Sequence, residues 1–426
     1  KELLMVRNGT IYKWTGSGNW SSLGGTLNTS GAVDIVIANN NAYFFDGTNT
    51  VAKYNGSVIS TVAAIPLGTG ARWFHNMLFV FGIAATPNTV RISNLGDPED
   101  FSGGTTATIA VNPNDGDYIT AMGELNDELI IFKAQRVWSL TGFGTSALTL
   151  SNLNERITGF GTLAPRSIVN TGNDLIYLSF IGDVPHFRSL KRTTFATVTD
   201  GGIISENIET SMKNLNKSSL SLTAGIYDGR NVWFAVPNES STFNNKVLMY
   251  DSISKGWVRH SGIQASAFEV FAISTTTELY FGEASTDSKV YKMSSSATSD
   301  NGTAINFQVI SRRYGGDMPE SKKKWKYLYV TAKETGNYDV TVDYAKDGFT
   351  YDNLGTLNLS GAGSIFDNII LDTSKLGATD VKRKRFNLPK AVGFYTQYKL
   401  YDTSATSSVT LRDWEVLYFP KTIREI

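Results

Sequence analysis

Two short basic runs are the residues of this sequence that could most directly contact another molecule. They read SKKKWK and VKRKRF, and two arginines lie shortly before them. The ten cations are Arg312, Arg313, Lys322, Lys323, Lys324, Lys326, Lys382, Arg383, Lys384 and Arg385. Such clusters in an otherwise balanced chain could contact phosphate or an acidic partner surface. The favoured interpretation is an edge strand that lysines protect against aggregation. Trp325 in the first run could stack on a base, although core packing is favoured.

Nucleophilic catalysis would need a histidine beside a serine or a similar group. The three histidines, His75, His186 and His260, fall in three different parts of the chain, and no G-x-S-x-G motif accompanies them. We therefore predict no catalytic residues and interpret the histidines as polar residues at strand ends.

Metal binding and glycoside hydrolysis leave weak patterns. The acidic turns 112–117 (NPNDGD) and 94–100 (NLGDPED) could hold Ca²⁺, but such turns are also chosen for their left-handed backbone. Residues 343–355 resemble the Asp-box of sialidases at Gly348, Thr350 and Tyr351, but Lys346 stands where the aspartate belongs. We expect no metal, no cofactor and no enzyme activity.

The composition of the chain restricts its function class. It has 426 residues, 39 basic and 39 acidic side chains, no cysteine, and only 18% charged residues. Disulfides and thiolate metal sites are therefore excluded, and a neutral chain argues against a general binder of DNA or membrane surfaces. No apolar run is long enough to span a bilayer. The chain starts at Lys1 and not at Met, so we expect the native start to have been trimmed or to lie upstream.

A strand–turn–strand unit recurs seven times in the first 300 residues. The hairpins lie at 3–16, 42–56, 77–94, 128–142, 175–190, 232–252 and 278–295. Their second runs follow one another at intervals of 39 to 60 residues, a spacing typical of β-propeller blades. Turns such as RNGT and FDGT supply the left-handed residues that hairpins need.

Six of the seven hairpins have a third apolar run just upstream. These runs lie at 33–40, 71–76, 118–126, 166–173, 222–230 and 267–274. The first hairpin lacks one, so we expect the first blade to borrow a strand from outside the given residues or from elsewhere in the chain. The pattern predicts an all-β fold with a six- or seven-bladed propeller, seven being favoured. The alternative is an array of β-sandwiches.

One segment breaks the β pattern. In 203–216 the residues Ile204, Ile208, Met212 and Leu215 fall on one helical face, with Ser205 as the expected N-cap. We predict a helical insertion near 204–216 that packs on one side of the propeller.

The C-terminal part is predicted to be a separate domain. Residues 294–304 (SSSATSDNGTA) have the composition of a linker. Several alternating runs follow, among them YDVTVDYAKDG and SIFDNIILDT, which predict an antiparallel β-sandwich. The predicted domains are a propeller over 1–297 and a sandwich over 298–426, and the sandwich core is expected to contain Trp325, Trp414, Tyr395 and Tyr398.

Several stretches together resemble one protein family. SNLGDPEDF is followed by NPNDGDYITAMGELNDELIIFKAQRVWSLTG, so that the motifs cover Ser93 to Gly142. IISENIE and NVWFAVP…KVLMYDSISKGWVRH are similar to the same family. The chain thus resembles the β-propeller tail nozzle, or tail tubular, proteins of tailed bacteriophages, whose shared motifs are structural and not catalytic.

The resemblance implies a part of a virion. Proteins of this kind form rings, commonly of six copies, that extend the tail channel below the portal and adaptor, help to retain packaged DNA and offer docking sites for fibres. It implies as partners further copies of the chain, other tail proteins and DNA, without membrane insertion, and assembly in the host cytoplasm. Three alternatives stay open: a receptor- or carbohydrate-binding propeller, a glycosidase-like enzyme, and a cellular interaction scaffold.

Overall fold

The computed structural model describes the chain apart from a set of short segments and one longer one. The residues outside the description are 17, 145, 150–151, 181–183, 196–201, 274–275, 285–288, 295–296, 298, 306, 318–319, 349, 361–380, 390–391, 404–408 and 421–426. The chain is all-β, with many small antiparallel sheets, and divides into unit 1 (Lys1–Ser294) and unit 2 (Ser295–Ile426). The domain boundary predicted from the sequence, 297/298, lies three residues beyond the division between the two units. The predicted strand SIFDNIILDT lies outside the described residues.

In unit 1 the described strands form seven antiparallel sheets, named A to G here, in which each strand pairs with the next one in the chain. Sheet A contains β1 (Leu4–Arg7), β2 (Thr10–Trp14) and β3 (Trp20–Gly24). Sheet B contains β4 (Asp34–Ala38), β5 (Asn41–Phe45), β6 (Val51–Tyr54) and β7 (Ile59–Val62). Sheet C contains β8 (Gly70–Phe74), β9 (Met77–Phe81), β10 (Thr89–Ile92) and β11 (Ala107–Ala110). Sheet D contains β12 (Ile119–Leu125), β13 (Glu128–Lys133), β14 (Arg136–Leu140) and β15 (Leu153–Thr158).

The remaining three sheets follow in the same manner. Sheet E contains β16 (Val169–Asn170), β17 (Leu175–Phe180) and β18 (Pro185–Ser189). Sheet F contains β19 (Ala224–Tyr227), β20 (Asn231–Val236), β21 (Lys246–Asp251) and β22 (Trp257–Ser261). Sheet G contains β23 (Ala265–Ile273), β24 (Thr276–Glu283) and β25 (Val290–Lys292). The described helices are α1 (Leu190–Phe195), α2 (Glu209–Lys213) and the 3₁₀ helices Pro165–Ser167, Glu206–Ile208 and Lys217–Leu222. No described helix is both long and apolar enough to cross a membrane.

All seven predicted hairpins and all six upstream strands are confirmed as antiparallel pairs. Two-residue turns explain several of them. Asn8 and Gly9 join β1 to β2 with φ of 46° and 75°, and Asn39 and Asn40 join β4 to β5 with φ of 45° and 61°. Positive φ at both central residues matches the twist of the flanking strands.

The sequence analysis missed a further strand in five sheets. These strands are β3, β7, β11, β15 and β22. Most of their residues are exposed or half-buried, so they lack the continuous apolar runs that marked the other strands. The expected borrowing of a strand from elsewhere in the chain is not seen, because among the described residues sheet A contains only β1, β2 and β3. Borrowing from outside the given residues stays a prediction.

Consecutive sheets of unit 1 share apolar clusters. Representative members are Ile11 with Phe44 (A and B), Tyr43 with Leu78 (B and C), Phe79 with Ile131 (C and D), Phe132 with Tyr177 (D and E), Leu178 with Phe234 (E and F) and Trp233 with Phe281 (F and G). The first strands of sheets B to G also contact one another in order. Trp14 of sheet A lies with its ring centroid 6.2 Å from Phe271 and 6.4 Å from Tyr280 of sheet G. The seven sheets therefore contact one another in cyclic order.

The helical segment departs from its prediction. Instead of one helix, the described backbone forms the 3₁₀ turn Glu206–Ile208 followed by the short α2. The apolar face is confirmed, because Met212 and Leu215 are buried in the cluster of sheets E and F. Ser205 makes no side-chain cap, which corrects the predicted N-cap. Its buried hydroxyl accepts the Phe187 N–H at 3.1 Å instead.

Unit 2 contains a short hairpin and two further sheets. The hairpin pairs β26 (Ser299–Asp300) with β27 (Thr303–Ala304). The remaining strands are β28 (Phe307–Ile310), β29 (Lys323–Lys333), β30 (Asp339–Lys346), β31 (Tyr351–Asn358), β32 (Val381–Asn387), β33 (Val392–Gly393), β34 (Thr396–Asp402) and β35 (Leu411–Pro420). Sheet H has the order β28-β34-β30-β31. In sheet I the long strand β29 pairs with β32 and β33, and also with β35.

Side chains of sheets H and I form one apolar cluster. It contains Val340, Val342 and Tyr344 of β30, which confirms the alternation predicted for that strand. Trp325 and Tyr398 are buried in it and Trp414 packs against it, as predicted. Tyr395 does not belong to the cluster and is half-buried.

Candidate protein-contact face

The ten predicted cations all lie in unit 2 but do not form one surface. Arg312 and Arg313 follow β28, and both are exposed. Their guanidinium carbons lie 5.4 Å from the Tyr314 ring and 5.0 Å from the Tyr395 ring, respectively. They do not line the cavity described below.

The first basic run alternates between the surface and the core. Lys322 and Lys324 are exposed, whereas Lys323 is fully buried. The Lys323 ammonium donates to the Ser321 carbonyl at 2.7 Å and to the Phe394 carbonyl at 3.4 Å. Lys323 therefore does not present its charge to a partner, because the pleat of β29 points it inward.

Trp325 and Lys326 lie on opposite sides of the same strand. Trp325 is 1% exposed, and its indole N–H donates to the Gly393 carbonyl at 3.3 Å. This placement matches core packing, the favoured interpretation, and leaves no ring face for a base. Lys326 is half-buried, and its Nζ lies 6.0 Å from the centre of the Phe419 ring.

The second basic run is also divided by strand alternation. Lys382 Nζ donates to the Ser360 carbonyl at 2.9 Å, and Lys384 Nζ donates to the Thr356 carbonyl at 2.5 Å. Arg383 and Arg385 are exposed, on the opposite side of β32. Only the two arginines therefore belong to the outer face of sheet I.

The strand pairing separates the two explanations of the runs. Among the described residues β32 pairs only with β29 and is an edge strand, so edge protection fits Lys382–Arg385. By contrast β29 is paired on both sides, so edge protection does not explain the lysines of the first run.

Each exposed arginine of β32 lies over a tyrosine of β29. The guanidinium carbon of Arg383 is 4.8 Å from the Tyr329 ring centre, and that of Arg385 is 4.8 Å from the Tyr327 ring centre. Such cation–π contacts contribute about 0.5–1 kcal/mol each at exposed sites. They hold the two guanidinium groups beside the tyrosine rings of β29.

An open groove of about 670 Å³ runs across this face. We call it the Arg–Tyr groove; its lining consists of Tyr329, Arg383, Arg385, Glu415, Val416 and Leu417. Arg383 Nη2 lies 2.5 Å from Glu415 Oε2. Beside the groove Leu417 is 43% exposed and Phe419 is 52% exposed. The surface thus combines aromatic, cationic and apolar groups.

The three histidines lie in sheets C, E and F, and His186 Nδ1 is 3.5 Å from the Ser205 hydroxyl. His75 lies in the β8–β9 turn, where its Nε2 is 2.6 Å from Asp127 Oδ1 and its ring stacks 4.8 Å from Phe143. The pKa of His186 is lowered by burial and by nearby Arg188. The described residues contain no group of three or more metal-ligating side chains.

The carboxylates of the two acidic turns bind groups of the chain itself. Asp115 accepts Lys133 Nζ at 2.6 Å, and Asp117 accepts the Ala134 N–H at 2.9 Å. In the other turn, Glu99 accepts the Tyr43 hydroxyl at 2.7 Å and Lys53 Nζ at 2.6 Å. These turns therefore join neighbouring strands and sheets, a role the turn prediction did not specify.

Other carboxyl groups are relevant to a glycosidase or a sugar-binding site. Burial raises the pKa of Glu124 on β12, as a general acid would require. A cavity of about 560 Å³ between sheets E and F is lined by Asp174, Tyr227 and Tyr250, among other residues. The Asp174 carboxylate accepts the Ser189 hydroxyl at 2.5 Å.

Comparison with known proteins gives only distant likenesses. No family model matches the chain, and no curated protein matches its sequence. A computationally designed protein covers 68% of this chain and 82% of its own at 10% identity, with a TM-score of 0.36. YCF48 bound to D1 peptide covers 66% and 84% at 8% identity, with a TM-score of 0.37. PorZ of Porphyromonas gingivalis, from a type-IX secretion system, covers 83% of this chain and 44% of its own at 11% identity, with a TM-score of 0.35. Likenesses at this level do not establish a family for the chain.

Proposed function

We propose that the chain is a structural protein of a bacteriophage tail, a nozzle or tail-tube component that extends the DNA channel and helps to retain packaged DNA. The stretch Ser93 to Gly142, which resembles tail nozzle proteins, supports the proposal. The polar residues of this stretch also support it, because they hold sheets together: Glu99 accepts hydrogen bonds from Tyr43 and Lys53 of sheet B.

The proposed architecture is a seven-bladed propeller followed by a β-sandwich. The cyclic contacts of sheets A to G support seven blades, because each sheet packs on the next and Trp14 of sheet A contacts Phe271 of sheet G. The single apolar cluster shared by sheets H and I supports the sandwich. A rigid, closed assembly of this kind suits a part that bears load and does no chemistry.

In the virion, copies of the chain would form a ring, commonly of six, that touches the portal or adaptor side, the fibres and the DNA passing through. Assembly would take place in the host cytoplasm. The neutral, weakly charged chain supports side-by-side packing, because the cores of protein interfaces are depleted of charged residues.

Gold-labelled antibody against the chain, applied to purified particles of the phage that encodes it, tests this proposal. Negative-stain microscopy should show label at the tail and ring-shaped particles in disrupted samples. Particles without label would contradict a virion role.

The cavity between sheets E and F favours one alternative, a receptor- or carbohydrate-binding propeller. Tyr227 and Tyr250 provide aromatic walls and Asp174 provides an acceptor, which are groups that bind sugars. A glycan array would decide, with Tyr227→Ala as the matched variant. Binding that this variant abolishes would favour the alternative.

A further inference from the structure

We propose that the Arg–Tyr groove is a docking site for a protein segment that carries a carboxylate beside large apolar side chains, and that it is not a nucleic-acid site. The inference goes beyond the proposed function, because it concerns the isolated chain and holds whether or not the chain belongs to a virion.

The charges of the groove favour a partner that carries one localised acidic group. Arg383 is already paired with Glu415 at 2.5 Å. Among the described residues no carboxylate forms an ion pair with Arg385, whose contact is the Tyr327 ring. Arg385 is exposed, so one carboxylate of a partner can reach its guanidinium and bind it in bidentate geometry.

The apolar residues of the face call for apolar side chains in the partner. Leu417 and Phe419 are 43% and 52% exposed and project on the same side of β35. Each would bury apolar area worth about 25 cal/mol per Å² under a partner side chain. Arginine and aromatic residues in such a setting are typical of the energetically dominant residues of protein interfaces.

Three features argue against nucleic acid at this groove. Glu415 lines the groove and pairs with Arg383, which weakens the attraction of that arginine for a phosphate backbone. The ring faces of Tyr327 and Tyr329 are covered by guanidinium groups, so they are not available for base stacking. The exposed Leu417 offers no contact to a sugar–phosphate backbone.

The segment we expect is short and lies along β29. A carboxylate would pair with Arg385 on one side of Tyr329, while an apolar side chain would cover Leu417 on the other side. The requirement for both groups, at opposite walls of one groove, gives the site its specificity.

The test is selection from a displayed library of random dodecapeptides with the purified full-length chain as bait. Recovered peptides should be rich in Asp or Glu next to Leu, Phe or Ile. Arg385→Glu and Leu417→Asp should each weaken their binding at least about tenfold. The matched control is Arg312→Glu, which removes an exposed arginine over a tyrosine outside the groove and should leave binding unchanged. Thermal unfolding of all three variants checks that they are folded.

A charge exchange gives a second readout. A selected peptide whose acidic residue is changed to lysine should bind the Arg385→Glu variant better than the original chain. Fluorescence anisotropy with single-stranded and duplex DNA should show no binding that depends on Arg385. The proposal would be overturned by peptides that bind the Arg385→Glu variant equally well, by selected peptides without carboxylates, by a library that yields no binder, or by DNA binding that Arg385→Glu abolishes.

Discussion

Replacement of Lys133 by methionine should destabilise unit 1 more than the same replacement of any other ion-paired lysine described in that unit. Lys133 is 0% exposed and Asp115 is 6% exposed, with 2.6 Å between Nζ and Oδ1. The ammonium also donates to the Val111 and Asn112 carbonyls at 3.1 and 3.2 Å. Methionine preserves the length of the aliphatic stem but removes all three hydrogen bonds.

The size of the effect follows from the charge that remains. Removing one partner of a buried ion pair costs about 3–5 kcal/mol, since the other charge is left buried. Arg136 Nε lies 3.6 Å from Asp115 Oδ2 and continues to stabilise that carboxylate. We therefore expect the lower end, about 3 kcal/mol of unfolding free energy. The double variant Lys133→Met/Asp115→Asn should recover at least about 1 kcal/mol, because it removes the orphaned charge.

The assay is differential scanning calorimetry, which compares the unfolding of the original chain with that of each variant. Lys292→Met is the control, since its ion pair with Glu278 is partly exposed and solvent screening should leave it a much smaller contribution to stability. Equal losses of stability in the Lys133 and Lys292 variants would refute the argument from burial.

The ion pair of Lys133 and Asp115 predicts that the stability of unit 1 depends on pH. Burial raises the pKa of Asp115, but the hydrogen bonds from Lys133 and from the Asp117 N–H outweigh it, so that the pKa is lowered. A carboxyl group with a lowered folded pKa stabilises the fold above its unfolded pKa, and this stabilisation disappears as the pH falls through the folded value. The difference between the original chain and Lys133→Met should therefore be full at pH 7 and should narrow below about pH 4. A difference that is constant between pH 7 and pH 3 would contradict this assignment.

Three further predictions concern other parts of the fold. Gly161→Ala would place a Cβ 2.0 Å from a main-chain carbonyl oxygen, whereas the Cβ of Gly104→Ala would meet nothing within 4 Å. Calorimetry should show that Gly161→Ala lowers the unfolding free energy by about 2 kcal/mol or more and that Gly104→Ala lowers it by less than about 0.5 kcal/mol. Lys323→Glu should strongly destabilise unit 2 because it reverses a buried charge that faces carbonyl groups, while the exposed Lys324→Glu should shift the melting temperature little. Trp14→Ala should accelerate hydrogen exchange in β2 and β23 together, because it removes the ring contact between sheets A and G; acceleration in β2 alone would contradict cyclic packing.

The strands that carry apolar runs could be predicted from the sequence because their burial leaves a local pattern. Several hairpins combine such runs with a turn of Asn or Gly, as at Asn8 and Gly9. Strands such as β3 and β22 are mostly exposed, so the pattern that marks a buried strand is missing there. The cap assigned to Ser205 failed because its hydroxyl bonds to a strand that is distant in sequence.

Only part of the candidate site could be predicted from the sequence. The basic runs themselves were evident, but the side of the strand on which each cation lies depends on the strand pleat and, in the first run, on the bulge between Trp325 and Tyr327. The partners of the arginines could not be predicted, because the register that brings Tyr329 opposite Arg385 joins strands more than fifty residues apart. The alternation of tyrosines in YLY and of arginines in RKR was the available signal.

Electron microscopy of particles made under an amber mutation in the gene for this chain, grown without a suppressor, tests the central proposal most directly. A structural nozzle component should be required for a complete tail, so the mutant particles should have shortened or absent tails, should lose packaged DNA, and should regain both when the chain is supplied from a plasmid. Mutant particles with complete tails and full heads that fail only to attach to the host would contradict the account and would favour a receptor-binding role.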